Sequence, residues 1–205
     1  MLLVRQQGEI MKKKKQNAVH IVCILDRSGS MSSLQTEVIN SFNTFLKEQQ
    51  AEKGKAFLTL VLFDDRYDII HDRVNIKDVP KLDSQTYFAR GMTGLYDAIG
   101  KTVNSIIDKD VMVLIQTDGY ENSSQEYNQK AIKELITKKE NLGWDFIFLG
   151  ANIDTMAEGS KMGLAASKSV SFQANSAGVE MAYMTMDMST KAYRNAKLEE
   201  WGENQ

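Results

Sequence analysis

Apolar residues along this chain follow two repeating patterns. The first is a short continuous run rich in β-branched or aromatic side chains, which is typical of a strand covered on both faces. Such runs lie at residues 18–26, 56–63, 111–118 and 144–151. The second pattern places apolar residues three and four positions apart, as on one face of an amphipathic helix. It predicts helices over residues 32–53, 95–108, 127–142, 153–162 and 177–195.

Strands that alternate with helices predict a parallel sheet with helices on both faces. Residues 67–74 instead predict a hairpin partner at a sheet edge, and residues 169–174 a short further strand. Ser32 and Gln35 predict a capping-box start for the first helix. We therefore expect a single three-layer, doubly wound α/β domain. Its central sheet should be mostly parallel, with about six strands and one antiparallel edge strand.

The last predicted helix has two apolar stripes. One stripe must face the sheet, and it consists of Val179, Ala182, Met186 and Tyr193. The other consists of Met181, Met184 and Met188. Two interpretations of this second stripe remain open, namely further core beneath the C-terminal tail or an adaptable surface for a partner.

The chain of 205 residues is long enough for one domain. We expect a disordered basic arm over residues 1–16, a domain over 17–197 and a flexible tail over 198–205. The arm contains the run Lys12–Lys15, for which contact with nucleic acid or an anionic surface is the alternative to a solvated segment. No apolar run approaches the ~20 residues of a membrane helix, so no membrane partner is expected.

The amino-acid composition argues against several classes of functional site. A formal net charge of −2 is unlike that of a strongly basic nucleic-acid binder, so no nucleic-acid partner is expected. One cysteine excludes an intramolecular disulfide and a cysteine-based zinc cage, and two histidines disfavour a His-rich metal site. A lone Cys23 within a buried strand suits a reducing compartment, which predicts a cytoplasmic location.

In a doubly wound fold, ligands bind at the carboxyl ends of the central strands. Asp26 ends the first run and Ser28 and Ser30 follow it, Asp118 ends the run over 111–118, and Thr93 precedes the second long helix. Two carboxylates and three hydroxyls without nitrogen or sulfur suit Mg²⁺, with Mn²⁺ or Ca²⁺ as alternatives. Two carboxylates only balance the charge of the ion, so a position stays open for an outside oxygen ligand.

Each of these motifs also has an interpretation in which its polar residues only stabilise local structure and bind no metal. The aspartate and serines of the first loop could form a turn and cap a helix, Thr93 could be an N-cap, and "TDG" is a common turn. Other polar residues at strand ends are surface groups in one interpretation and contacts to the metal or a partner in the other: Glu121, Asn122, Asn152 and Asp154. The aspartates of the hairpin turn are expected to be solvated and away from this edge: Asp64, Asp65 and Asp68.

The motifs "ILDRSGSM", "ARGMTGLYDAI" and "LIQTDGYEN" resemble the metal-ion-dependent adhesion site of von Willebrand factor A domains. Nearly the whole chain follows the strand and helix order of that family, and the motif variants are similar to intracellular members from bacteria and phages. The resemblance implies that Ser28 and Ser30 ligate the metal directly and that Asp26 and Asp118 ligate it directly or through water. It also implies that Thr93 joins or leaves the coordination of the metal as the domain changes its conformational state. Met92 departs from the pattern, because relatives commonly have glycine before the threonine.

The function expected from these features is a divalent-metal-dependent protein-binding module with no catalytic residues. A partner protein would offer an acidic residue, whose carboxylate completes the coordination of Mg²⁺. The alternative is a Mg²⁺-dependent hydrolase of the phosphatase type, but Ser28 stands where such enzymes usually place a second aspartate. A dinucleotide-binding domain is disfavoured because the first loop lacks Gly-x-Gly-x-x-Gly. The partner and the oligomeric state stay open.

Overall fold

A computed structural model describes residues 17–202 as one α/β fold. The strands are β1 (Val19–Asp26), β2 (Ala56–Phe63), β3 (Tyr67–Asn75), β4 (Val111–Thr117), β5 (Asp145–Gly150) and β6 (Ser169–Ser171). The helices are α1 (Gln35–Ala51), α2 (Leu95–Ser105), α3 (Gln129–Glu140), α4 (Thr155–Lys161) and α5 (Ser176–Glu200). Three 3₁₀ turns cover Gly29–Leu34, Ile76–Asp78 and Ala166–Lys168.

The six strands form one sheet in the order β3-β2-β1-β4-β5-β6. Every neighbouring pair is parallel except β2 and β3, which confirms the predicted sheet with its one antiparallel edge strand. The strand order reverses between β1 and β4, because β2 continues on one side and β5 on the other. The carboxyl ends of β1 and β4 therefore meet at the switch point where such folds bind ligands.

Both faces of the sheet are covered, because β1 is apolar on both sides. Ile21, Cys23 and Leu25 belong to a core that contains the apolar residues of α1 and α5. Val22 and Ile24 belong to a second core with residues of α2 and α3. Two apolar cores, each between the sheet and a helical layer, hold the carboxyl ends of the strands in fixed relative positions.

The first helix begins later than the sequence predicts. Residues Gly29–Leu34 form a 3₁₀ turn, and α1 starts at Gln35 with Leu34 as its N-cap and no side-chain cap. The predicted capping box of Ser32 and Gln35 is therefore wrong. The side chain of Gln35 instead accepts a hydrogen bond from the backbone N of Ala89 at 3.1 Å. The early turn has a tertiary contact, because the backbone N of Gly29 donates to the Gly91 carbonyl at 3.1 Å.

Helix α5 places the predicted inward stripe against the sheet. Val179, Ala182 and Met186 are buried there. The second stripe is exposed, with 60%, 53% and 69% of Met181, Met184 and Met188 accessible. These methionines are thus not core, and a surface role is the remaining interpretation.

The C-terminal end of α5 extends into the segment predicted as tail. The helix continues to Glu200, and Leu198 is buried. Its methyl carbons lie against Gly54, where a Cβ would be 2.7 Å from Leu198 Cδ2. The rest of the predicted tail beyond 202 and the predicted arm over 1–16 lie outside the described residues. Across residues 17–202, no helix combines the length and the hydropathy needed to cross a membrane.

Candidate metal centre

Side chains from the β1 loop and the end of β4 meet at the carboxyl edge of the sheet. Ser28 Oγ and Ser30 Oγ are 3.1 Å apart, and Ser30 Oγ donates to Asp118 Oδ1 at 2.5 Å. Ser28 and Asp118 are buried, whereas Ser30 is exposed. The three groups form a row of oxygen atoms that runs from the sheet edge to the surface.

Thr93 reaches the same place from the loop before α2. A Cβ placed on Gly119 would lie 3.4 Å from Thr93 Oγ1 and 3.9 Å from Ser30 Oγ. The two hydroxyls therefore flank the same stretch of backbone directly after Asp118. Any side chain at position 119 would enter the space between them.

The hydroxyls of this cluster are not used as helix caps. Ser28 precedes the 3₁₀ turn without forming a side-chain capping bond, and the N-cap of α2 is Gly94 instead of Thr93. The capping interpretations of these two residues therefore fail. Their oxygen atoms remain available to a ligand.

Asp26 is the most enclosed of the five candidate residues. Its Oδ1 accepts from the backbone N of Ser28 at 2.6 Å and its Oδ2 from Thr117 Oγ1 at 2.5 Å. Burial raises the pKa of the Asp26 carboxyl to about 6, although these hydrogen bonds act in the opposite direction. The nearby Asp118 carboxylate raises it further, and burial also raises the pKa of Asp118.

The electrostatics of the cluster fit a cation. No lysine or arginine among the described residues forms a salt bridge with Asp26 or Asp118, and no cation offsets their raised pKa values. Two buried carboxylates close together without a counter-charge favour a bound divalent ion. Carboxylate and hydroxyl oxygens are the donors of a hard ion such as Mg²⁺. Within residues 17–202 no group of three or more His, Cys, Asp or Glu gathers as a metal site, so this cluster relies on its hydroxyls.

The loop after β4 holds the Thr93 loop in place. Asn122 Oδ1 accepts from the backbone N of Thr93 at 2.8 Å, and the backbone N of Asn122 donates to the Thr93 carbonyl at 3.0 Å. Glu121 Oε2 accepts from the backbone N of Tyr96 at 2.9 Å, in the first turn of α2. Asn122 and Glu121 are thus structural supports of the site and not free surface groups.

Asp64 corrects an expectation drawn from the sequence. Its side chain is fully buried and accepts from Arg27 Nε at 2.9 Å and from Arg90 Nε at 2.7 Å. The half-exposed Asp68 binds both guanidinium groups as well. The expectation of a solvated side chain is wrong for Asp64, whereas the side chain of Asp68 is 45% exposed and Asp65 is exposed. The physical reason is that β2 runs parallel to β1, so the residue directly after β2 lies at the same sheet edge as Asp26.

This ionic cluster of Arg27, Asp64, Asp68 and Arg90 adjoins the loops that carry the candidate metal ligands. The backbone N of Arg90 donates to the Arg27 carbonyl at 2.8 Å, and the backbone N of Gly94 donates to the Asp64 carbonyl at 2.8 Å. The β1 loop, the β2–β3 turn and the Thr93 loop are therefore tied together. The sequence signal that could have found Asp64 is its position directly after a buried parallel strand.

Two further residues were missed as supports of Asp26. Thr117 is the last residue of β4, and its hydroxyl donates to the carboxylate. Tyr87 is fully buried, and its hydroxyl donates to the Asp26 carbonyl at 2.6 Å. The position of Thr117 next to Asp118 was a usable signal, but nothing local in the sequence indicates the contact of Tyr87.

The two candidates after β5 belong to a different local structure. Asp154 is the N-cap of α4, and its Oδ1 accepts from the backbone N of Ala157 at 3.0 Å. Asn152 adopts a left-handed backbone conformation with φ 56°. Neither side chain forms a hydrogen bond with the five candidate metal ligands.

Comparisons with known proteins relate this architecture to one fold. No family model matches the sequence, and no curated protein is detectably similar to it. Solved structures do match. The von Willebrand factor domain of the type V pili tip protein Mfa5 from Porphyromonas gingivalis has a TM-score of 0.62 at 12% identity, with 86% of this chain and 96% of that chain covered.

Proximal thread matrix protein 1 from the mussel byssus also has a TM-score of 0.62, at 13% identity. The match covers 86% of this chain but only 46% of the byssus chain. A second structure of that protein, with a zinc-occupied MIDAS motif, matches equally well. These likenesses, together with the six-stranded sheet and its flanking helices, show that the chain has the fold of a von Willebrand factor A domain.

Proposed function

We propose that this chain is a divalent-metal-dependent protein-binding module. Asp26, Ser28, Ser30, Thr93 and Asp118 would hold Mg²⁺, and an acidic side chain of a partner protein would supply a further ligand. The observation that carries the proposal is the row of hydroxyls beside two buried carboxylates that have no counter-cation among the described residues. The structurally similar byssus protein has a structure with a zinc-occupied MIDAS motif, which supports metal binding by a domain of this fold.

The chain's own residues have separate tasks in this proposal. Asp26 and Asp118 supply two negative charges that balance the charge of the ion, and the five protein ligands together would leave one position of an octahedral ion open for a carboxylate of the partner. The serines and Thr93 supply neutral donors, so the ion stays attractive to an outside carboxylate. Thr117 and the Ser28 backbone orient Asp26 by hydrogen bonding.

A hydrolase is the competing function, and the site gives it little support. Position 28 is serine, and the candidate ligands include no third carboxylate or histidine for proton transfer. The structurally similar proteins named above are described as matrix and pili tip proteins.

We further propose a bacterial or phage origin from the motif variants, and a cytoplasmic location from the buried free thiol of Cys23.

Metal binding is tested first, by titrating Mg²⁺ and Mn²⁺ into the protein by calorimetry. Asp118→Asn keeps the shape of the side chain but removes its charge, so we expect loss of binding. Ser30→Ala should also weaken binding, whereas the matched control Ser32→Ala, an exposed serine of the same turn, should not. Equal affinity in all variants would contradict this site.

Partner chemistry is tested with a displayed random-peptide library selected on the protein in Mg²⁺. We expect recovered peptides to contain aspartate or glutamate, to be released by EDTA and to lose binding when that residue becomes its amide. Peptides that bind equally in EDTA, or equally as amides, would overturn the carboxylate mechanism. Turnover of phosphoesters by the wild-type protein that Asp26→Asn abolishes would favour the hydrolase instead.

A further inference from the structure

Large apolar side chains are exposed in the loops around the candidate metal centre. Met92 directly precedes Thr93, and 57% of it is accessible. Tyr120 follows Gly119 and is also exposed, as is Met156 in the first turn of α4. Single exposed apolar residues are common on protein surfaces, whereas apolar residues gathered beside a polar site are typical of a surface that a partner contacts.

Met92 has a special position among the direct chain neighbours of the five candidate ligands, all of which lie in the described part of the chain. It is the one neighbour with an exposed side chain. The other neighbours are glycines or the buried residues Leu25, Arg27, Met31 and Thr117. The exposed side chain that adjoins the candidate ligands along the chain is therefore an uncharged thioether.

The backbone around Met92 is fixed on both sides. The carbonyl of Gly91 accepts from the backbone N of Gly29, within the Ser28–Ser30 loop, at 3.1 Å. The backbone N of Thr93 donates to Asn122 Oδ1 at 2.8 Å. The Met92 side chain thus projects from a held backbone beside the site. Because a thioether side chain is flexible and polarisable, it can pack against apolar groups of different shapes.

Tyr120 provides a second apolar surface beside the same hydroxyls. Its chain neighbour Gly119 is so close to the site that a Cβ there would lie 3.4 Å from Thr93 Oγ1. The Tyr120 hydroxyl accepts from the backbone N of Asp154 at 3.3 Å, which directs the ring toward the start of α4. Methionine and aromatic side chains are enriched in protein interfaces, whereas charged residues are depleted from their centres.

Several charged groups at this edge are already engaged within the protein. The guanidinium groups of Arg27 and Arg90 bind aspartate side chains. The carboxylates of Glu121 and Asp154 accept hydrogen bonds from backbone N atoms. These four groups would offer little to a second charged residue of a partner, whereas an apolar residue would bury apolar surface against Met92 and Tyr120.

We propose that Met92 and Tyr120 select partner segments in which a large apolar residue lies within two positions of the acidic residue. This selection rests on the proposed metal-dependent function, because the carboxylate on the ion sets the position of the segment. Residues of an extended segment advance about 3.3 Å each, so such an apolar residue lies about 3–7 Å along the surface from the carboxylate. Met92 is within this range of Thr93, since consecutive Cα atoms are about 3.8 Å apart.

The preference is measured with a displayed peptide library that has one fixed central aspartate and random residues on both sides. The library is selected on the full chain in Mg²⁺ and eluted with EDTA. We expect enrichment of large aliphatic or aromatic residues within two positions of the aspartate. The combined variant Met92→Gln and Tyr120→Gln should lose this enrichment. The matched control Met188→Gln, at an exposed methionine of α5, should keep it.

Direct contact is tested by a double-mutant cycle. One recovered peptide and its variant with serine in place of the apolar residue are titrated against the wild type and Met92→Gln. Each single change should weaken peptide binding by about fivefold or more, as for a residue that matters in an interface. The combined change should weaken binding little further, because both changes remove the same contact. Losses that multiply independently would contradict a shared contact and overturn the proposal.

The results distinguish the roles of Met92 and Tyr120 from metal-dependent binding itself. EDTA-eluted peptides without an apolar preference would overturn these roles and leave the proposed function intact. A preference for basic residues, which the exposed Asp65 beside Gly91 could attract, would do the same. So would a loss of Mg²⁺ affinity in Met92→Gln as large as its loss of peptide affinity. An absence of EDTA-eluted peptides would overturn the proposed function, and the selection by Met92 and Tyr120 with it.

Discussion

Arg27 donates from Nε to Oδ2 of Asp64 across 2.9 Å, and the two side chains are 2% and 0% exposed. Arg27 lies between the candidate ligands Asp26 and Ser28, while Asp64 follows β2. This pair therefore couples the loop that carries the candidate metal ligands to the neighbouring strand end. Arg90 joins the same carboxylate from the Thr93 loop at 2.7 Å. Three loops around the candidate site thus share one buried anion.

We expect Asp64→Asn to destabilise the fold by about 3 kcal/mol, because removing one partner leaves two buried or half-buried guanidinium groups undercompensated. The free energy of unfolding from urea denaturation, in EDTA, measures this effect. Asp65→Asn changes the adjacent exposed residue and should alter stability by less than about 0.5 kcal/mol. Similar values for the two variants would show that the buried ion cluster contributes little.

Asn122→Ala should weaken Mg²⁺ binding by roughly tenfold or more, since partners that orient a ligand loop typically have effects of this size. The variant removes the acceptor for the Thr93 backbone N but none of the candidate ligands. Calorimetric titration measures the affinity. Asn141→Ala, at an exposed position after α3, is the control and should bind normally. Unchanged affinity in Asn122→Ala would mean that the Thr93 loop needs no such support.

Stability should fall on acidification because of His20. Its Nδ1 lies 2.9 Å from Asp108 Oδ2 and its Nε2 lies 2.8 Å from Thr59 Oγ1. Burial lowers the pKa of His20 below 6.5, although Asp108 acts in the opposite direction. As the pH falls through 6.5, the unfolded chain takes up this proton before the folded one does, so the free energy of unfolding decreases.

The measurement compares urea denaturation of the wild type and His20→Gln between about pH 7.5 and 5.5, a window around the ordinary histidine pKa. The difference in the free energy of unfolding between the wild type and His20→Gln should shrink toward acid pH, because only the wild type loses the stability that neutral His20 contributes. His71→Gln tests the other histidine, whose pKa is also lowered by burial, and should leave the His20 contribution intact. If the free energy of unfolding changed with pH equally in the wild type and His20→Gln, the pH dependence would not come from His20.

Gln116→Met should stabilise the protein by about 1–2 kcal/mol, because a buried amide without partners costs free energy that a thioether of similar size does not. Gln116 is fully buried in β4, and both its amide atoms lack a hydrogen-bond partner among the described residues. The matched change Gln49→Met should do the opposite. Gln49 is equally buried, but its amide binds Asp187 and Arg194. Thermal and urea unfolding measure the stability of both variants. A Gln116→Met protein less stable than the wild type would contradict the prediction and show that the Gln116 amide has stabilising partners.

Much of the fold was predictable because its signals are local. The apolar run of β1 requires cover on both faces, and strands that alternate with helices leave few arrangements besides a parallel sheet. The order of β1 and β4 then brings Asp26, Ser28, Ser30 and Asp118 to one edge. Their residue types already indicate a hard cation, and the structure places Ser28, Ser30 and Asp118 within hydrogen-bonding distance of one another.

The remaining features depend on contacts between distant segments. Asp64 is buried because of the parallel register of β1 and β2, where Asp26 is opposite Phe63. The early 3₁₀ turn before α1 comes from contacts with the Thr93 loop, such as Gly29 N to the Gly91 carbonyl at 3.1 Å.

For α5, periodicity alone reveals two apolar stripes and cannot choose between them. Packing chooses, because the stripe that contains Met186 fills the core beside the sheet and rotates Met184 to the surface. The sequence by itself therefore determined the alternation of strands and helices and the chemistry of the loops at the sheet edge, since both reside in short segments. Tertiary structure decided which charges are buried, where helices begin and which helix face stays exposed, since those outcomes depend on the register and packing of residues far apart in the chain.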